Sequence, residues 1–256
     1  MQNDLPRSTH AGKVDVFFLP FAGASHYSYN RFRRHLPDFV NMIPLELPGR
    51  GRRLAEALLT NMTDMVQDLF NELKRNLCRP YAIYGHSMGA ALGYLLINKI
   101  EASKLPKPAH LFVSGRATLF TSQRRVKEIH SLSKEAFVAA VQAFGGIPEQ
   151  VLKEKDLIDF FEPIIRADIQ ANETFKNNAT GPIDVPITVM LGTEDKTTVH
   201  QDVKWPELTT RKALVKQFKG DHFFIFDHLP RISQILSLTL EEVAFSCEDR
   251  TQCPSR

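Results

Sequence analysis

Six short runs of apolar, β-branched or aromatic residues recur along the chain with helical patterns between them, and no other feature narrows the fold so far. The runs are Val14 to Leu19, Val40 to Leu47, Tyr81 to Tyr84, His110 to Ser114, Ile187 to Leu191 and Leu214 to Phe218. Their brevity and unbroken apolar character suit strands buried on both faces. In Met62 to Leu77, Ala90 to Ile100 and Ile232 to Phe245 the apolar residues return at three- and four-residue steps, as on a helix with one buried stripe. Strands that alternate with helices are joined by crossovers, so the expected fold is α/β, with a mostly parallel central sheet and helices on both faces.

The alternation stops from Arg116 to Ile183, where only helical segments such as Ser133 to Phe144 and Leu157 to Phe175 appear. Ser131 and Ser133 ahead of Glu135 resemble a capped helix start. One crossover needs far fewer residues than this block holds, so 116–183 reads as a helical lid inserted over the strand ends. The expected organisation is one domain over 14–245 with that insertion, a flexible N-terminus at 1–13 and a flexible tail at 246–256. A chain of 256 residues buries about 70 to 75% of its unfolded surface, enough for an unstapled core.

Composition excludes more than it selects. Thirty-two basic residues against 29 acidic ones leave +3, too little and too mixed for a nucleic-acid or membrane partner. Cys78, Cys247 and Cys253 lack metal-ligand spacing and form no even disulfide set. The opening residues lack the apolar core of a signal peptide, and no apolar run approaches the roughly 18 residues of a membrane span. A cytoplasmic monomer is expected. Cys253 stands fourth from the end, but Pro254 and Ser255 are not the aliphatic pair of a prenylation signal.

The chemistry begins at Gly85-His86-Ser87-Met88-Gly89, which follows one predicted strand and opens a predicted helix. This is a nucleophile elbow, G-x-S-x-G in its required context, and it resembles that of the α/β-hydrolase fold. The tight turn strains the serine backbone and tolerates only small neighbours. It also sets Ser87 at a helix N-terminus, where free N–H groups favour a developing oxyanion. Such a serine needs a base and a group to orient that base, in the chain order Ser, acid, His. Of His110, His130, His200, His222 and His228, only His222 follows the last predicted strand in a loop at the sheet's carboxyl edge. Glu194 and Asp195 end the preceding strand, and Asp195 is preferred for its shorter, more rigidly placed side chain. Asp221 adjoins His222, but a directly preceding side chain diverges from the ring. The second oxyanion donor belongs to the loop after the first strand, which pairs the N–H of Ala22 with that of Met88 and leaves Phe21 as the neighbouring choice.

No Walker A sequence, His-Glu-x-x-His pair, EF-hand loop or dinucleotide fingerprint occurs, so no metal or cofactor is expected. Basic clusters stand at Arg31/Arg33/Arg34, Arg50/Arg52/Arg53 and Arg124/Arg125/Lys127.

From Phe17 to about Leu240 the chain resembles the type II (editing) thioesterases of nonribosomal peptide and polyketide synthases, relatives of the medium-chain thioesterase of fatty acid synthesis. The resemblance rests on Phe18-Leu19-Pro20-Phe21-Ala22-Gly23-Ala24-Ser25, the Leu47-Pro48-Gly49-Arg50 turn, Gly85 to Ala90, Phe144-Gly145-Gly146-Ile147-Pro148 leading to Ile165-Arg166-Ala167-Asp168, and Gly220 to Phe224. It implies Ser87 as nucleophile, Asp195 as acid, His222 as base and an oxyanion hole from Ala22 and Met88. The implied substrate is an acyl group on the phosphopantetheine arm of an acyl or peptidyl carrier protein, with the arginines at 31–34 and 50–53 as a docking patch. Ala24 and Asp221 replace the family's usual glycines; the first would narrow backbone freedom beside the oxyanion hole, and the second would set a carboxylate near the base and raise its pKa. The same triad would also serve a product-releasing thioesterase or a small-molecule esterase. A hydrolase-like binding protein would not need all three residues.

Overall fold

The alternation of side chains within the inner strands sorts them into two cores. The computed structural model describes residues 12–77, 79–119, 128–143, 145, 153–176 and 181–246. In β1 (Val14–Leu19) the side chains of Val14, Val16 and Phe18 join one apolar core and those of Phe17 and Leu19 the other. The same split separates Ala82 and Tyr84 from Tyr81 and Ile83 in β3 (Tyr81–His86). Buried on both faces, such strands must lie inside a layered α/β fold. With β2 (Val40–Pro44), β4 (Leu111–Ser114), β5 (Ile187–Gly192) and β6 (Ala213–Phe218) they form one sheet in the order β2-β1-β3-β4-β5-β6, every pair parallel. The run from Leu214 departs from the expectation of a strand buried on both faces: as the edge strand β6 it leaves 214–217 exposed. β2 stops three residues short of the expected Leu47: after Pro44 the Leu45 N–H makes a last bond to Phe18 O at 3.0 Å and the chain turns away.

Helix α1 (Met62–Leu73) starts where the Asn61 side chain accepts the Asp64 N–H. Its Met62, Met65, Val66, Leu69, Phe70 and Leu73 are buried, each worth about 1.5–3 kcal/mol relative to exposure. Its last expected turn tightens into a 3-10 segment, Lys74–Asn76. Helix α2 (Met88–Ala102) packs beside it on the same core, with the fully buried Trp205. Helix α5 (Leu229–Phe245) covers the opposite core through Ile232, Leu236 and Leu240.

Between β4 and β5 lie α3 (Lys134–Ala143) and α4 (Lys155–Glu173), and no strand occurs among the described residues from 116 to 182. Phe137, Val141 and Ile165 give this helical insertion a small core of its own. Arg166 donates to Leu132 O at 2.9 Å, and Glu173 accepts the N–H groups of Ile129 and His130, which clips 129–132 to α4. The ends expected to be flexible lie almost wholly outside the described residues, as do Arg124, Arg125, Lys127 and the three cysteines.

Candidate active site

Ser87 sits between the last residue of β3 and the first of α2 with φ +53° and ψ −113°, a strained conformation for a residue with a side chain. The turn is so tight that a Cβ on Gly85 would lie 2.1 Å from Gly89 O, and one on Gly89 would lie 2.7 Å from Leu19 O. Both glycines are therefore required by close approach, and the second brings the end of β1 against the start of α2. The Ser87 N–H donates to Ser114 O at 2.8 Å, which pins the turn to β4.

Three sequence-predicted residues, far apart in the chain, form one hydrogen-bonded line. Ser87 Oγ lies 3.0 Å from His222 Nε2, and His222 Nδ1 lies 2.9 Å from Asp195 Oδ2. Asp195 follows β5 and is fully buried, whereas Glu194 is exposed on the same turn. His222 follows β6 on the adjacent loop, with its side chain 12% exposed. Asp195 Oδ1 accepts both the Thr197 hydroxyl at 2.6 Å and the Thr197 N–H at 2.9 Å. Burial raises the Asp195 carboxyl, but the hydrogen bonds from His222 and Thr197 outweigh it and hold the group below its ordinary value. An ionised acid thus faces one ring nitrogen while the other faces the serine. This geometry lets the imidazole take the serine proton and keeps the resulting cation stabilised.

The remaining candidates do not converge on Ser87. His110 is buried against Thr188, His130 pairs with Glu173, His228 contacts Lys219 O at the start of α5, and His200 is exposed. Asp221 is exposed at the rim, its Oδ1 accepts the Phe223 N–H at 2.8 Å, and it lines one pocket with His222. Ala24 is not among the residues with positive φ, and the left-handed position belongs to Gly23 at +80°; the alanine therefore costs the loop no needed freedom.

Three further residues had no role in the sequence reading. Thr197 holds the acid, as above. His86 is fully buried, 4.9 Å between ring centroids from His222, with Nδ1 at 3.0 Å from Ser114 Oγ. Burial first, and the His222 imidazole second, push it well below its ordinary value, so it stays neutral. Asp168, quoted only as part of a motif, is fully buried on α4.

The arginine cluster at 50–53 needs correction as a docking patch. Arg50 is 2% exposed and forms a bidentate pair with Asp168, with Nη2 2.8 Å from Oδ1. Arg53 is held by Asp68 and Glu56, which leaves Arg52 as the exposed cation of the three. Two buried charges are tolerated only when paired in this way.

The loop expected to supply the second oxyanion donor lies beside the elbow. The Phe21 ring meets the rings of His86 and Phe223 edge-on at 5.7 and 5.4 Å. The Gly23 N–H donates to Asp168 Oδ2 at 2.7 Å. Ala22 falls between these anchors, and the Met88 N–H is among the donors that a helix start leaves unpaired. A small pocket beside His222 is lined by Ala143, Gly145, Lys196, Thr197 and Asp221 among others. Among the described residues no group of three or more His, Cys, Asp or Glu is arranged to hold a metal ion.

The thioesterase domain family matches residues 15–239. The gramicidin S biosynthesis protein GrsT of Aneurinibacillus migulanus is 31% identical over 218 residues, 85% of either chain. Among solved structures, ClbQ from the colibactin NRPS/PKS pathway superposes with TM-score 0.84 at 30% identity, over 91% of this chain and 98% of that one. The type II thioesterase BorB from the borrelidin biosynthetic cluster gives 0.81 at 29% identity, over 91% and 95%.

Proposed function

The chain belongs to the thioesterase domain family, as a type II thioesterase of the α/β-hydrolase superfamily, and from that membership we infer that it hydrolyses acyl thioesters on the phosphopantetheine arm of a carrier protein. Its task is then to clear misprimed or stalled acyl groups from a nonribosomal peptide or polyketide synthase. The observation that carries the chemistry is the line from Ser87 Oγ through His222 to Asp195.

In this reading Ser87 Oγ attacks the thioester carbonyl while its proton passes to His222 Nε2. Asp195 stabilises the imidazolium through Nδ1, and the N–H groups of Ala22 and Met88 receive the oxyanion. Collapse of the tetrahedral adduct breaks the C–S bond, His222 returns the proton to the departing thiolate, and an acyl-serine remains. Water then attacks that ester with His222 again as base, which releases the acid and restores Ser87. A thiolate leaves readily, so these steps need no cofactor. No helix among the described residues is long and apolar enough to cross a membrane. We take the enzyme to be a cytoplasmic monomer, which ultracentrifugation would register as a 29.1 kDa species.

Intact-protein mass spectrometry of acetyl- and longer acyl-carrier proteins, incubated with wild type, Ser87→Ala and His222→Ala, tests the reading. Wild type should unload the carriers, and each variant should lose roughly a thousandfold or more in rate. Untouched carriers alongside efficient cleavage of simple oxygen esters would refute carrier-bound thioesters as substrate. A His222→Ala enzyme near wild-type turnover would remove the histidine from its role.

A further inference from the structure

The buried Arg50–Asp168 pair has a third partner that stability alone does not explain. Removing two charges from water costs several kcal/mol per ion, and apolar replacements of such pairs are often equally stable or more so. Asp168 nevertheless gathers three segments at one carboxylate. It stands on α4 of the helical insertion, takes both terminal nitrogens of Arg50 from the Pro48-Gly49-Arg50 turn, and accepts the Gly23 N–H at 2.7 Å from the loop after β1. The oxygen that receives Gly23 is Oδ2, which Arg50 Nη1 also contacts. Ile165, one turn earlier on α4, closes the same junction: a Cβ on Gly23 would come within 2.8 Å of its Cγ1.

Gly23 follows Ala22, the residue whose N–H is assigned to the oxyanion. Holding the Gly23 N–H fixes the peptide plane that follows Ala22 and so limits how the Ala22 N–H can turn. A bare carboxylate this near the oxyanion would oppose its developing charge, and the guanidinium of Arg50 cancels that opposition.

We propose that Asp168 is a positioning residue for the oxyanion hole, holding Gly23 so that the Ala22 N–H faces Ser87, with Arg50 neutralising its charge. The proposal rests on the assignment of Ser87 and Ala22 above. Helix α4 and the oxyanion loop then move as one body, so the hole is complete only when the insertion is seated on the sheet edge.

The test replaces the pair by apolar residues of similar volume, Arg50→Met with Asp168→Leu, and compares it with Arg50→Met with Asp168→Asn, whose amide oxygen still accepts from Gly23 and which leaves no unpaired buried charge. The Leu variant should fold with a Tm near wild type. Its kcat should fall about tenfold to a hundredfold at little-changed KM, less than the loss of a whole oxyanion donor. Affinity for an acyl trifluoromethyl ketone, which mimics the tetrahedral adduct, should fall by the same factor, while a non-hydrolysable thioether analogue binds as before. The Asn variant should recover most of the lost kcat and of the ketone affinity. A folded Leu variant with kcat and ketone affinity within twofold of wild type would overturn the proposal. If the Leu variant does not fold, Arg50→Met combined with Asp168→Asn or with Asp168→Ala decides: equal losses in both would overturn it as well. Fluorophosphonate labelling of wild type separates this failure from a deeper one, because an unlabelled Ser87 would overturn the active-site assignment itself.

Discussion

Thr197 gives the sharpest handle on the acid, because valine keeps its shape and its backbone N–H and deletes only the hydroxyl. Three hydrogen bonds reach the Asp195 carboxylate: the Thr197 N–H at 2.9 Å, the Thr197 hydroxyl at 2.6 Å and His222 Nδ1 at 2.9 Å. The hydroxyl bond is short and charge-assisted, the class worth about 1.5–3 kcal/mol. About half of that should reach the transition state, where the imidazolium needs a fully ionised partner, so Thr197→Val should lose roughly fourfold to tenfold in kcat/KM. The pH dependence has a definite sign. Asp195 is held below its ordinary value in the folded protein, so its contribution to stability is present above the unfolded aspartate value of about 3.9 and is lost as pH falls through the folded value. Deleting a bond to the ionised form raises the folded value, so acid unfolding of Thr197→Val should begin at higher pH than that of wild type. Steady-state hydrolysis of an acyl-pantetheine near neutral pH reads the first effect, and acid unfolding followed by circular dichroism reads the second. A kcat/KM within twofold of wild type with an unmoved acid-unfolding midpoint would refute the role given to the hydroxyl.

Three other outcomes are expected. Gly51→Ala places a Cβ 1.9 Å from Glu46 Oε1 at a φ of +51°, and displacing Glu46 breaks its bonds from His26 and the Arg52 N–H; chemical denaturation should show a loss of about 2–4 kcal/mol. Asp184 is drawn down to about 2 by hydrogen bonds from Lys107 and Arg211, so the stability it adds is present above the unfolded value of about 3.9 and fades as pH falls toward the folded one. Acid unfolding of Asp184→Asn should therefore begin at higher pH than in wild type, with the two converging at the lowest pH. Reversing Arg31, Arg33 and Arg34 to Glu should raise KM for an acyl-carrier protein while leaving KM for a short acyl-pantetheine unchanged, and the difference should shrink with added salt.

Most of the sheet was legible because the runs of β1, β3, β4 and β5 are buried along their whole length and have no other place to go, whereas β6, at the sheet edge, was found by its apolar and β-branched residues although Leu214 and Val215 stay exposed. The elbow was legible for a related reason, since Gly85 and Gly89 are demanded by backbone atoms closer than any side chain permits. His222 and Asp195 could be found because the sheet delivers its loops to one edge in chain order. Arg50 and Asp168 escaped because their partnership spans 118 positions, and a lone charged residue in a sequence reads as solvated. The Pro-Gly-Arg and Arg-Ala-Asp motifs were selective for the resemblance, and that selectivity was the available signal that they meet. Thr197 escaped because a threonine two residues past an aspartate is ordinary turn chemistry until the imidazole is seen to share it.

Pairing also redistributes the charge that a carrier protein would meet. The two arginine clusters near the Phe21 and Pro48 loops looked equivalent in sequence, but two of the second cluster's three are spent on ion pairs, Arg50 on buried Asp168 and Arg53 on Asp68 and Glu56, which leaves Arg52 alone exposed there. Arg31, Arg33 and Arg34 remain exposed on one short 3-10 segment, Asn30–Arg34. Arg31 lies 5.5 Å over the Phe226 ring, Phe226 stacks on Phe223, and Phe223 meets both Phe21 and His222 edge-on. A continuous aromatic surface thus leads from the exposed guanidinium to the imidazole. A phosphate held at Arg31 would leave the rest of a pantetheine arm to run along those rings toward Ser87. Arg31, Arg33 and Arg34 make no ion pair among the described residues, so we propose that a carrier's phosphate approaches from their side, a direction on which the net charge of the chain carries no information.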